Sequence, residues 1–125
     1  MTAKELYERI GADYEAALRR LPTDELVAKF IIRFLDDKSC STLIEVWEQG
    51  KGDEEMFEAA HAAKGVCANL ALTRLYDKAS VVTDAYRPGR EAEREGKDIA
   101  ALMKQFKDDY ESSIKEINAY ADEHG

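Results

Sequence analysis

Apolar residues recur every three or four positions over most of the chain, which is the spacing of one face of an α-helix. The clearest such stripe lies near the carboxyl end, and its members are Ile99, Met103, Phe106, Tyr110, Ile114 and Ile117. No stretch alternates apolar with polar residues at the two-residue period of a half-buried strand. The pattern therefore predicts an all-α protein.

Turn and capping residues divide the first half of the chain into helical segments. An opening helix is predicted over about 3–21, with Gly11 as the point where it could break. Thr23 and Asp24 are suited to cap the next segment, because their side-chain oxygens can accept a hydrogen bond from a free backbone N–H. The polar run 36–41 interrupts that segment, so we expect either one kinked helix or two short ones.

The second half carries three further predicted helices. Gly52 and Asp53 cap a helix over about 54–70, and another follows over about 73–86. Residues 90–97 form a charge cluster, which we interpret as the solvated start of the long final helix. Short connections favour antiparallel neighbours. The predicted fold is therefore an antiparallel up-and-down four-helix bundle with an additional N-terminal helix laid against it.

Composition narrows the number of domains and the classes of partner. The chain has 125 residues, of which 45% are hydrophobic and 35% charged. These values fit a single domain over 1–125, with the bundle over about 24–122 and the helix of 1–22 packed on it. The formal net charge is −8 and the basic residues are interspersed with acids. We therefore expect no nucleic-acid partner, because phosphate-backbone binding requires a basic stripe.

The sequence also indicates in which cellular compartment the protein is expected. The amino terminus lacks the charged and apolar regions of a leader, and no apolar run is long enough to cross a bilayer. The two cysteines, Cys40 and Cys67, could pair, but small buried thiols in a reducing compartment are the commoner use of such residues. We expect a cytoplasmic protein that is a monomer, does not bind membranes and keeps both thiols for packing.

His61 is the residue that carries candidate chemistry. On a helical wheel of about 100° per residue, it lies about 140° from the centre of the apolar stripe of its helix. The members of that stripe are Met56, Ala60, Ala63, Cys67 and Leu70. The imidazole is therefore predicted to point outward. An exposed imidazole is largely neutral at neutral pH, which leaves a ring nitrogen free to attack a phosphoryl group.

Small and basic residues follow His61 on the same outer face. Lys64, Gly65 and Ala68 stand at i+3, i+4 and i+7, one and two turns onward. Lys64 could offset the negative charge of a phosphoryl group on His61 without competing for the proton of the imidazole. A glycine inside a helix costs about 1 kcal/mol relative to alanine, so Gly65 indicates close approach by another molecule. Considered alone, Lys64 is equally well explained as a solvated surface lysine, and Gly65 as a glycine that the helix tolerates.

Residues 60–70 have the sequence AHAAKGVCANL, which resembles the signature A-H-x-L-K-G-x-x-x-N-L of histidine-containing phosphotransfer (HPt) domains. The similarity covers roughly 26–87, and the final helix agrees only in its pattern. Ala63 stands where a larger apolar residue is usual, and Ala71 where glycine often follows the Asn-Leu pair. Ala63 should alter local packing, while Ala71 either extends the helix or tightens its junction with the next one.

The resemblance implies an HPt-type bundle that carries phosphoryl groups and has no kinase activity of its own. His61 would accept the group on Nε2 from a receiver-domain aspartate and pass it to another receiver, within a two-component phosphorelay. The partners would be receiver domains of response regulators and hybrid histidine kinases, which supply Mg²⁺, so the chain needs no cofactor. Gly65 and Ala68 would form the docking face. Asn69 would cap or support its helix end, and Thr83 is a candidate to orient the imidazole.

Other functions fit the residues less well. A sensor kinase is disfavoured, because His61 lacks an acidic neighbour and a nearby proline, and no Gly-rich ATP-binding region follows. Glu58 and His61 have the Glu-x-x-His spacing of di-iron bundles, but that site needs a second copy and inward carboxylates. His124 is expected in a frayed tail. The open alternative is an HPt-like docking module that binds a receiver without phosphotransfer, although such a module would have no need of Lys64 and Gly65 beside the histidine.

Overall fold

The structure, a computed structural model, describes residues 1–124 as α-helices joined by short links. The helices are α1 Ala3–Arg9, α2 Tyr14–Arg20, α3 Asp24–Arg33, α4 Ser39–Glu48, α5 Asp53–Leu70, α6 Thr73–Ala85 and α7 Ile99–His124. Short 3₁₀ turns occupy Phe34–Asp36 and Glu91–Arg94. No strand occurs among the described residues, which confirms the all-α class. None of these helices combines the length and the apolar character that spanning a membrane requires.

The opening segment forms two helices, α1 and α2, because it breaks at Gly11. The φ of Gly11 is +67°, a left-handed conformation that glycine adopts without strain. The backbone N–H of Arg74 donates to the Gly11 carbonyl, and the N–H of Asp13 donates to the carbonyl of Ala71. Hydrogen bonds to the junction between α5 and α6 therefore fix the break, and no part of the opening sequence shows them.

The second segment is two helices, α3 and α4, and not one kinked helix. Thr23 caps α3 as predicted, since its hydroxyl accepts a 3.2 Å hydrogen bond from the Leu26 N–H. After the 3₁₀ turn, the Asp37 carboxylate accepts a 2.8 Å hydrogen bond from the Ser39 N–H. Such local side-chain bonds to the backbone compete with helix formation. The polar run therefore separates the two helices.

Four helices surround the main core. α4 contacts α5, α5 contacts α6, α6 contacts α7, and α7 contacts α4, so these helices close a ring. The largest buried side chains within the ring include Leu43, Met56, Leu75, Met103, Phe106 and Ile117. α1 packs against α3 and α7, while α2 contacts α3 and α5. The amino-terminal helices therefore contact α5 and α7, which lie opposite each other in the ring.

The charge cluster at 90–97 is not the start of the final helix, and that prediction is wrong. It contains the 3₁₀ turn, which packs on α6. The Arg94 guanidinium donates to both carboxylate oxygens of Asp53, at 3.1 and 2.8 Å, and to the Ala85 carbonyl at 3.1 Å. Arg94 lowers the pKa of the Asp53 carboxyl through these hydrogen bonds. The cluster folds back because Arg94 forms hydrogen bonds to residues of α5 and α6.

α7 turns its apolar stripe toward the core, as predicted. The buried members are Ile99, Met103, Phe106 and Ile117, and the half-buried members are Tyr110 and Ile114. The helix continues to His124, so the expectation of a frayed tail is wrong. The His124 ring stacks on Tyr120 with ring centroids 4.1 Å apart, and its Nδ1 lies 2.9 Å from the Tyr120 carbonyl oxygen. These contacts with the preceding turn hold the last turn of the helix.

Candidate functional site

α5 presents one face to the core and the other to solvent. The predicted stripe is buried along its whole length, at Met56, Ala60, Ala63, Cys67 and Leu70. His61 is exposed on the opposite side, near the middle of this 18-residue helix. The outward direction that the wheel predicted for the imidazole is therefore confirmed. A side chain at mid-helix is carried by backbone whose hydrogen bonds are complete, so its anchor point is rigid.

The His61 imidazole stacks on Phe57, one turn earlier in α5. The two ring centroids are 5.7 Å apart and the rings are inclined by 17°. Phe57 is half-buried, and the guanidinium carbon of Arg87 lies 5.4 Å from the centroid of its ring. Aromatic stacking and cation–π contacts are each worth about 0.5–1.5 kcal/mol. The stacking of Phe57 on His61 was not predicted, although the i−4 spacing of the two residues is the signal that could have indicated it.

Lys64 lies one turn after His61 and is half-buried. Its ammonium nitrogen is 5.9 Å from the centroid of the Tyr76 ring on α6. That distance is at the outer limit of a cation–π contact, so the ring steadies the lysine while the ammonium keeps its capacity to donate to another acceptor. Lys64 and His61 share one face of α5, as the spacing predicted.

Gly65 is exposed, and a Cβ added there would meet no neighbouring atom within 4 Å among residues 1–124. The fold thus has room for a side chain at this position, and the helix would gain stability from alanine. Ala68, one turn further on, is half-buried at the edge of a cleft between α2, α5 and α6. Internal packing therefore does not explain the absence of a side chain at position 65.

Two polar residues near the site are engaged elsewhere. The Thr83 hydroxyl is buried and donates to the Ala79 carbonyl at 2.7 Å. Thr83, which the sequence did not place relative to the imidazole, therefore has its hydroxyl proton engaged inside α6. Asn69 accepts a 3.1 Å hydrogen bond from the Arg20 guanidinium of α2. It supports the carboxyl-terminal end of α5 by a link to another helix, which the sequence could not specify.

Ala71 ends α5 in a left-handed conformation, with φ 56° and ψ 38°. It does not extend the helix, which decides between the two expectations for this position. The N–H of Leu72 donates to the Cys67 carbonyl at 2.9 Å and closes the helix end. The buried Tyr7 hydroxyl donates to the Leu70 carbonyl at 2.9 Å, and burial raises the pKa of that hydroxyl. The junction after the candidate site is thus held from α1 as well.

The two thiols lie on the core side of the site. The sulfur atoms of Cys40 and Cys67 are 3.8 Å apart, and both residues are buried and free. The hydrogen bond with Cys67, together with burial, raises the pKa of the Cys40 thiol. A thiol that stays protonated packs as a small apolar group. This geometry agrees with the structural role expected for both cysteines.

The acidic residues near His61 do not gather into a metal centre. Among residues 1–124, no three histidine, cysteine or acidic side chains lie close enough together to hold a metal ion. Glu58 is exposed beside His61, on the outer face of α5. The Glu-x-x-His spacing is therefore a consequence of two residues that share the solvent side of one helix.

Comparison with known proteins identifies no relative. No protein-family model, no curated protein and no solved structure matches the chain. The similarity to HPt domains therefore consists of the motif in residues 60–70 and the helical pattern around it. A functional assignment has to rest on the chemistry of the α5 outer face.

Proposed function

We propose that this chain is a histidine phosphotransfer protein of a two-component phosphorelay. His61 accepts a phosphoryl group from a receiver-domain aspartate and passes it to a second receiver. The observation that carries the proposal is the outer face of α5, where an exposed mid-helix histidine stands one turn from Lys64 and from Gly65. Gly65 supports it most directly, since the fold leaves space there that a side chain could fill.

The proposed step is a phosphoryl exchange between two nucleophiles. The lone pair of the neutral imidazole Nε2 attacks the phosphorus of the aspartyl phosphate, and a P–N bond forms as the P–O bond to the aspartate breaks. The electron pair of the broken bond leaves with the aspartate carboxylate. Lys64 donates to the phosphoryl oxygens during transfer. The receiver supplies the Mg²⁺, so the chain needs no cofactor and has no kinase activity of its own.

The helical ring supports this role. We interpret residues 24–122 as an antiparallel four-helix bundle of the HPt type, in which α3 and α4 together supply one member and α5, α6 and α7 the others, with α1 and α2 packed on it. Such a bundle holds His61 on the outside of α5 and leaves the surface around Gly65 and Ala68 for the receiver. The proposal includes a cytoplasmic location, because receivers and their kinases act on the cytoplasmic side. It also includes a monomer as the simplest state.

A phosphotransfer assay tests the proposal. The protein is incubated with a radiolabelled phospho-receiver or hybrid kinase, and the label is tested for acid lability and alkali stability. We expect acid-labile, alkali-stable label on the wild type and on His124→Gln, and none on His61→Gln, because the acceptor nitrogen is gone. Lys64→Ala should be labelled about tenfold more slowly, as expected for loss of one charge-assisted contact.

The same assay separates this function from its alternative. Unchanged labelling of His61→Gln would refute the site. If receivers bind the wild type but leave no label on it, the chain is a docking module and not a carrier. Binding measured by titration calorimetry with the same receivers supplies that comparison.

A further inference from the structure

We propose that Phe57 is a positioning residue for phosphotransfer, which holds the His61 imidazole in the orientation that the reaction requires. The inference rests on the proposed function and adds a residue that the HPt signature in residues 60–70 does not contain. It starts from the stack between the two rings, whose centroids are 5.7 Å apart and whose planes are inclined by 17°.

The stack limits the freedom of an otherwise exposed side chain. Inside a helix, a histidine has two accessible χ1 wells and a broad, two-fold χ2, so about four orientations are open to a free imidazole. Helical side chains lean toward the preceding turn, which brings His61 over Phe57 at i−4. Contact along the ring face selects the orientations in which the two rings lie nearly parallel. The imidazole is therefore set before a partner arrives.

Phe57 can act as a platform because the core and Arg87 both contact its ring. Its ring is half-buried and packs against the buried core. The Arg87 guanidinium carbon lies 5.4 Å from the ring centroid, and Arg87 also pairs with Asp84 at 3.2 Å. Arg87 follows the end of α6, so this contact ties the platform to a second helix. A ring on the surface of α5 alone would move with the imidazole and could not orient it.

Stacking suits this histidine better than a hydrogen bond would. A hydrogen-bonded orienting group occupies one ring nitrogen, and the Thr83 hydroxyl donates its proton to the Ala79 carbonyl. The Phe57 contact uses the face of the imidazole and leaves both ring nitrogens accessible. The P–N bond to Nε2 lies in the plane of the ring, so the stack persists when the phosphoryl group is attached. Phe57 would thus serve the acceptance and the donation steps equally.

The test compares Phe57→Leu, which keeps apolar volume and removes the ring, with Phe57→Tyr, which keeps the ring. Loss of the stack spreads the imidazole over its other orientations, so Phe57→Leu should lower the single-turnover transfer rate at saturating phospho-receiver about two- to fourfold. The receiver concentration that gives half of the maximal rate should stay unchanged, because docking does not use the ring. Phe57→Tyr should restore the rate.

Phe30→Leu is the matched control. Phe30 is also half-buried, and the Arg33 guanidinium carbon lies 5.4 Å from its ring centroid, but it belongs to α3. This variant should lose a comparable amount of thermal stability and transfer at the wild-type rate. Equal slowing of Phe30→Leu and Phe57→Leu would make the effect one of stability and would overturn the positioning role.

Nuclear magnetic resonance of the unphosphorylated full-length protein gives a second readout. The ring current of Phe57 should shift the ring-proton resonances of His61, and Phe57→Leu should remove that shift. His124 is the internal reference, since its stack on Tyr120 is untouched. Identical His61 resonances in wild type and Phe57→Leu would refute the stack. An unlabelled wild type in the transfer assay would instead refute the proposed function, while the resonances still decide whether Phe57 orients the imidazole.

Discussion

The inner and outer faces of α5 place opposite demands on one helix. On the inner face, Ala63 and Cys67 are fully buried between α4 and α6, so the volume of each side chain matters and its chemistry hardly does. On the outer face, His61 and Gly65 are exposed, and the fold would accept other residues at both positions. The contrast teaches that stability and transfer should respond separately to changes on the two faces.

The largest expected effect is on the outer face, at Gly65. Under the proposed function, Gly65→Trp would place a bulky ring where a receiver would approach, and misplacing the reacting atoms by about 1 Å can slow a reaction about 100-fold. We therefore expect transfer to fall on the order of 100-fold with little change in thermal unfolding. Single-turnover transfer and thermal melts measure the two quantities.

Gly65→Ala is the control for that comparison. Its added Cβ meets open space, and helix propensity should stabilise the fold by about 1 kcal/mol. Transfer should stay near the wild-type rate. If the tryptophan variant transfers as fast as the alanine variant, close approach at Gly65 is not the reason for the glycine.

The inner face gives the next effect, at Ala63. Ala63→Leu adds three carbons to a fully buried position, and overpacking of this kind costs about 2 kcal/mol of unfolding free energy. The adjacent Ala62 is exposed on the outer face, so Ala62→Leu makes the same chemical change where it should alter stability by less than about 0.5 kcal/mol. Urea denaturation of both variants provides the test. Equal stabilities would mean that the two faces are not distinct.

The smallest expected effect is on stability at Ala71, the residue at which α5 ends. A left-handed conformation is strained for alanine and not for glycine. Ala71→Gly should therefore stabilise the protein by about 0.5–1 kcal/mol. Ala62→Gly, in the exposed interior of the same helix, should destabilise it by about 1 kcal/mol. Opposite shifts of the two denaturation curves would confirm that Ala71 ends the helix in a left-handed conformation. A destabilised Ala71→Gly would contradict that conformation.

Local patterns explain the parts of the structure that were predicted correctly. Apolar spacing gave the all-α class and the burial of the α7 stripe, because helical periodicity is a property of neighbouring residues. The same spacing on α5 placed His61 outward and put Lys64 and Gly65 on its face. The cap at Thr23 followed from one hydroxyl and the N–H three residues away.

The charge cluster at 90–97 was predicted wrongly because its fold depends on a residue that is distant in sequence. Arg94 folds the 90–97 cluster back onto Asp53, 41 residues earlier, and charge patterning cannot name that partner. Residues near the site behave in the same way, since Asn69 meets Arg20 across 49 residues.

What the sequence by itself determined is the helical class, the two faces of α5 and the residues that stand beside His61. These features depend on intervals of one to eight residues, over which the helix geometry is fixed. The tertiary structure alone decided the break at Gly11, the left-handed end at Ala71 and the platform that Phe57 and Arg87 make under the imidazole. Those features require backbone or side-chain groups from different segments to meet, and packing of the whole chain chooses which ones do.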